Sequence, residues 1–139
     1  MSTDFFAYYV INLDKDKVRW QRIDAHLRGQ GIEAERISAV YAADLPAEEI
    51  AKHYRQELNQ QQFFLPLKPA EIGCFMSHLK TLEAFLSQDE KPFAVILEDD
   101  VEFIGEAEDY HQQWLSAVDT EKPVMLKLYA RRPVDGKQT

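Results

Sequence analysis

Three consecutive carboxylates, Glu98-Asp99-Asp100, follow directly on five apolar residues, Phe93-Ala94-Val95-Ile96-Leu97. The apolar run reads as a strand buried on both faces of a sheet. Carboxylates at the exit of such a strand repel one another. At about 5 Å and an effective dielectric of about 20, each like-charge pair costs roughly 3 kcal/mol. Water can screen them, or a divalent cation can bind them and in turn hold a phosphate. Alternation along an extended backbone places Glu98 and Asp100 on one side and Asp99 on the other. An acid-x-acid pair suits Mg²⁺ or Mn²⁺, which take oxygen ligands and leave positions for water and phosphate oxygens. A cation there would neutralise a diphosphate leaving group. The alternative is a solvated acidic turn that caps the next helix. Placement at the end of a buried strand leaves these two readings about level.

Other candidates are spread along the chain. Asn12 and Asp14 follow an apolar strand pattern at residues 5–13, and Asp14 is also suited to cap the helix after it. Arg19 could reach a diphosphate from that helix, though a helix-surface arginine is the commoner case. His78 shares a helical face with Glu71, Cys74 and Thr81, either as a functional group or as a half-buried structural histidine. Gly73 and Ser77 lie one turn apart. A mid-helix glycine costs about 1 kcal/mol relative to alanine, which suggests close approach of a ligand or a packing contact. Cys74 reads as a small buried hydrophobe. Lys127 is either at the ligand end of a sheet or an edge lysine that discourages aggregation.

The elements that must position these residues alternate between strands and helices. Residues 5–13 form the first strand. A helix with Trp20, Ile23 and Leu27 on one face stops at Gly29 and Gly31. Residues 35–40 form a short second strand. Pro46 opens a helix with Ile50, Tyr54 and Leu58 on one side, and residues 59–62 form a polar loop. Pro69 opens a third helix, with Glu71 favourably placed near its start. Its apolar stripe is Ile72, Phe75, Leu79, Leu82 and Leu86. The acid-tipped strand follows, then a helix over 107–118 with Trp114 and Val118 inward, then a strand over 124–129. Phe5, Phe6, Tyr8, Tyr9, Phe63 and Phe64 read mostly as core. This alternation implies an α/β sheet, with ligands at the carboxyl ends of its strands.

With 139 residues the chain fits one α/β domain over 1–130 and a polar tail over 131–139. A net charge of −8 argues against nucleic acid as a partner through bulk charge. One cysteine excludes an internal disulfide and a cysteine-rich zinc cluster, and it fits a reducing cytoplasm. The start lacks the basic region and cleavage site of a signal peptide, and no stretch is long enough to span a bilayer. Action on a membrane substrate would therefore be peripheral, from the inner face.

Three segments together resemble glycosyltransferase family 25, which includes lipooligosaccharide galactosyltransferases. They are Tyr9-Val10-Ile11-Asn12-Leu13 with Arg19, then Leu67-Lys68-Pro69-Ala70-Glu71-Ile72-Gly73-Cys74-Phe75-Met76-Ser77-His78, and Ile96-Leu97-Glu98-Asp99-Asp100-Val101. Ser38-Ala39-Val40 and Lys127-Leu128 add to the resemblance. It implies a Rossmann-like type A glycosyltransferase (GT-A) fold, a UDP-sugar donor such as UDP-galactose, and inverting transfer to a lipooligosaccharide or lipopolysaccharide acceptor. It makes the acidic triplet the Asp-x-Asp metal motif. Asp100 and Glu98 then hold Mn²⁺ or Mg²⁺. Glu98 and Asp99 contact donor or water, and Asn12, Asp14, Arg19, Ser77 and His78 line the donor side. His78 is the one catalytic candidate. Two features depart from the family. Lys68 stands where a hydroxyl would cap the helix better, and the chain ends soon after the acidic motif, which places the acceptor side and the general base outside it.

Two other functions compete with this reading. A donor-binding relative without transfer activity would associate with itself to cover an exposed edge or apolar face, giving a homodimer. A phospho-acceptor signalling domain also uses an acidic Mg²⁺ pocket, but it carries paired acids after the first strand, where this chain has Asn12 and Asp14.

Overall fold

The computed structural model describes residues 2–53, 68–119 and 121–128. The elements, in order, are β1 (Phe6–Asn12), α1 (Lys17–Gly29), β2 (Glu35–Ser38), α2 (Ala47–His53), α3 (Pro69–Leu86), β3 (Phe93–Glu98) and α4 (Ala107–Ala117). Short 3₁₀ turns cover Ser2–Phe5 and Ala42–Asp44. Tyr54, Leu58, residues 59–62, Phe63, Phe64, Tyr129 and the tail lie outside the described residues. The chain forms two compact units, Met1–Ile104 and Gly105–Thr139. Among the described residues no helix is long and apolar enough to cross a membrane.

The first unit is built on a parallel sheet of order β2-β1-β3. The central strand is buried along nearly its whole length, which is why its sequence is apolar without alternation. On one face Tyr9, Ile11 and Ile37 pack against Ala84 and Phe85 of α3. Tyr8 and Val10 point to the opposite face by alternation and are equally buried. Burial raises the Tyr8 phenol well above its ordinary pKa, so this tyrosine remains neutral. Ile23 and Leu27 are the buried side chains of α1, as their spacing predicts. That helix stops at Gly29, and Gly31 follows with φ of 75°, a conformation that favours glycine.

The structure corrects four readings. Asp14 does not cap α1, whose N-cap position is Asp16. The stripe predicted for α3 is not its buried face. Ile72 is buried, but Phe75, Leu82 and Leu86 are 52%, 41% and 79% exposed, and the helix buries Gly73, Ser77 and Thr81 instead. The small residues let the helix backbone approach, and the Ser77 and Thr81 hydroxyls are satisfied by carbonyls one turn back. Cys74 is exposed rather than buried. Residues 124–128 form no strand and lie exposed, Lys127 among them. Lys68 does leave the start of α3 without a side-chain cap, but the Glu71 carboxylate accepts the Lys68 N–H at 2.8 Å.

In the second unit, α4 buries Ala107 and His111, and the His111 ring lies 5.4 Å from that of Trp114. Burial lowers the His111 pKa, and the Glu108 carboxylate opposes this only in part. The folded chain therefore binds this proton less readily than the unfolded chain. The resulting stability is present above the usual imidazole range and is lost as pH falls through it. Urea unfolding at about pH 7.5 and about pH 5.5 is expected to show this loss in the wild type. The loss should be smaller in His111→Gln.

Candidate active site at the carboxyl ends of β1 and β3

Strand register brings the candidate residues into one row. Asn12 of β1 pairs with Ser38 of β2, and Ile11 pairs with Glu98 of β3. The sheet order reverses direction between β1 and β3, and the carboxyl ends on either side of such a switch point are where open α/β sheets bind ligands.

Asn12 is the hub of this row and is 2% exposed. Its side-chain amide donates to Asp16 O at 3.0 Å and to Asp99 Oδ2 at 2.7 Å. Its Oδ1 accepts from Arg36 Nε at 2.9 Å, and its backbone carbonyl accepts from Arg36 Nη2 at 3.1 Å and from the Ala39 N–H at 2.9 Å. One side chain thus links the loop after β1, the turn after β3 and Arg36 of β2.

Asp99 turns inward and is 8% exposed. Besides Asn12 it meets Arg19, whose Nη1 lies 3.6 Å from Asp99 Oδ1, and Arg22, whose Nη2 donates to Asp99 O at 3.1 Å. Arg19 and Arg22 are one turn apart on α1, so this helix lays two guanidinium groups along the acidic corner. His26, one turn further on, accepts the Phe103 N–H at 2.8 Å and holds the loop after the acids. Asp14 accepts from Ser38 Oγ at 2.6 Å and from Arg36 Nη2. The Ser38 hydroxyl first, then Arg36, holds its carboxyl below the usual range.

The strand ends at Glu98, and Asp99 and Asp100 lie in the turn that follows. The three acids therefore meet different surroundings. Asp99 is committed to the protein. Asp100 is exposed and forms no hydrogen bond or ion pair among the described residues. Glu98 is exposed beside α3, where a ligand atom each from Cys74, His78 and Glu98 all lie within 4.8 Å of one another. Partial burial of the sulfur, and then the Glu98 charge, push the Cys74 thiol up. Ser77 is buried, and its hydroxyl donates to Gly73 O at 2.7 Å and accepts the Val40 N–H at 2.8 Å. It thereby ties α3 to the end of β2. Lys80 adds a contact to Ser38 O at 3.1 Å.

The structure thus gathers Asn12, Asp14, Arg19 and Asp99 into one network. It sets Asp100 at the solvent edge and joins His78 to Glu98 and Cys74. Sequence reasoning missed Arg22 and Arg36. The three-residue spacing of Arg19 and Arg22 was a readable signal, whereas Arg36 needed the register of β2 on β1.

A search of curated proteins finds no match. The sequence matches the family described as "Glycosyltransferase family 25 (LPS biosynthesis protein)" over residues 5–138. The parallel sheet flanked by helices is compatible with the Rossmann-like fold of a glycosyltransferase. With nearly its whole length matched, the chain belongs to glycosyltransferase family 25 and so to the glycosyltransferases of lipopolysaccharide biosynthesis.

Proposed function

We propose that the chain binds a nucleotide-sugar donor, UDP-galactose, at the carboxyl ends of β1 and β3 in a GT-A arrangement. It would direct metal-assisted, inverting transfer of the hexose to a lipopolysaccharide or lipooligosaccharide acceptor. The observation that carries this reading is the different placement of the three acids. Asp99 is locked by Asn12 and Arg19, while Asp100 stays open at the switch point of the sheet.

The oxygen donors fit a hard divalent cation. Mg²⁺ is typically held by one or two carboxylates together with substrate phosphates, so Asp100 with Glu98 is a sufficient protein share for it or for Mn²⁺. Such a cation, when bound, neutralises charge on the departing diphosphate. Arg19 is 61% exposed on its side chain and keeps guanidinium donors beyond its contact with Asp99. It can bind a diphosphate oxygen directly. Asn12 and Arg22 fix the backbone from which Asp100 projects. Asp14, held ionised by Ser38 and Arg36, adds a carboxylate at the same end of the sheet.

The reading is tested by incubating the full chain with UDP-galactose, Mn²⁺ and de-galactosylated lipooligosaccharide, and following UDP release and acceptor mass. Transfer is expected to depend on the cation and on Asp100. Binding of UDP-galactose without UDP release would instead support the donor-binding relative that does not transfer.

A further inference from the structure

We infer that Cys74, His78 and Glu98 form a binding site for a thiophilic divalent cation, Zn²⁺ in the first instance. This site shares Glu98 with the oxygen site proposed at Asp100 but takes its other two ligands, Cys74 and His78, from α3. Cys74 and His78 are four residues apart on α3, so one helical face presents both. Glu98 arrives from the end of β3, and the three ligand atoms lie within 4.8 Å of one another. Around tetrahedral zinc, such ligands stand about 3.5 Å apart. The observed cluster needs a closure of about 1 Å, which side-chain rotation supplies.

Three further observations favour a cation. Neither the His78 ring nor the Glu98 carboxylate forms a hydrogen bond or ion pair among the described residues, so their ligand atoms are uncommitted. A thiolate and a carboxylate carry two negative charges, which a divalent cation neutralises. The helix that carries two of the ligands is anchored on either side of His78. Ser77 holds the Val40 N–H, and Lys80 holds Ser38 O.

The donor set decides the metal. Thiolate and imidazole with one carboxylate select zinc over magnesium and manganese. Binding transfers the Cys74 proton to solvent and forms the sulfur–metal bond. Cys74 and Glu98 are exposed, so a fourth position faces solvent and would hold water, as in zinc sites with three protein ligands. His78 is then a metal ligand and not a free base.

The test uses the reduced, metal-free full chain without nucleotide. Titration with Co²⁺ is expected to give one equivalent of tetrahedral cobalt with a thiolate-to-cobalt charge-transfer band, reversed by Zn²⁺. Cys74→Ser should abolish the band. His78→Ala and Glu98→Gln should each weaken binding by at least the roughly 10–100-fold that loss of an outer-shell partner costs. Asp100→Ala should leave it unchanged. Alkylation of Cys74, the single cysteine, gives a readout on the wild type if a variant fails to fold. Micromolar Zn²⁺ should slow it strongly, and Mg²⁺ or Mn²⁺ should not. No charge-transfer band together with unprotected alkylation would overturn the site, as would unchanged affinity in both His78→Ala and Glu98→Gln. Cobalt binding without any response to UDP-galactose and Mn²⁺ would uphold this site and reject the donor reading instead.

Discussion

Replacing Asn12 by alanine is expected to lower stability by about 3 kcal/mol, an effect out of proportion to the size of the side chain. The carboxamide is almost fully buried and makes three side-chain hydrogen bonds, one to the Asp99 carboxylate and one from the Arg36 guanidinium. Bonds to charged groups contribute about 1.5–3 kcal/mol each and neutral ones about 1 kcal/mol. Arg36 is partly exposed and recovers some of its loss in water, which brings the total down to about 3 kcal/mol. A fall of roughly 10 °C in melting temperature follows for a chain of this size. Donor affinity should fall as well, because Asp99 and the turn that carries Asp100 lose the anchor that ties them to β1. A variant that melts within about 2 °C of the wild type would show that the network does not hold the strand ends together.

Replacing Asp100 by alanine is expected to do the opposite, leaving the fold intact and removing the cation-dependent part of donor binding. The residue is exposed and unpaired among the described residues, so the change in stability should remain within about 0.5 kcal/mol. Loss of a metal ligand should weaken UDP binding in Mn²⁺ by at least the roughly 10–100-fold that lost outer-shell support costs. The neighbouring change, Asp99→Ala, should instead destabilise the chain by about 2 kcal/mol by stranding the Asn12 amide. Calorimetric titration together with thermal melting of both variants separates the roles. A stable Asp99→Ala that loses the cation effect, beside an Asp100→Ala that binds as the wild type does, would exchange the two residues.

Much of this site was legible where local chemistry is strong. The apolar run ending in Glu98 and the apolar start ending in Asn12 became adjacent parallel strands; β1 is buried along nearly its whole length, whereas β3 at the end of the sheet order buries only Val95 and is not covered on both faces as its sequence suggests. Pro69 with Glu71 marked the start of α3. What stayed hidden depends on which faces meet. Nothing near Asn12 in sequence announces Asp99, 87 positions away, because their bond exists only through the register of β3 on β1. Exposure still alternates through Glu98, Asp99 and Asp100, with Asp99 the inward acid, although the strand itself ends at Glu98. In α3 the larger side chains suggested the buried face, but close approach to the sheet favours small ones, and serine and threonine can satisfy their hydroxyls within the helix. The apolar residues at 124–128 have strand composition, and composition does not supply a neighbouring strand. The sheet order does not separate a glycosyltransferase from a signalling domain, since both classes use doubly wound sheets. The family match over residues 5–138 does.

The open acid at the β1–β3 switch point is proposed to hold a nucleotide-sugar donor through a hard divalent cation. The most direct test is the melting temperature of the wild-type chain with UDP-galactose, in Mn²⁺ and again in excess chelator. At ligand concentrations about 100 times Kd, binding adds about 2.7 kcal/mol to stability. A rise of roughly 8 °C is therefore expected in Mn²⁺, with little or none in chelator. No rise with millimolar UDP-galactose or any other UDP-sugar in Mn²⁺, or an equal rise in chelator, would show that the open acid does not hold a donor through a cation.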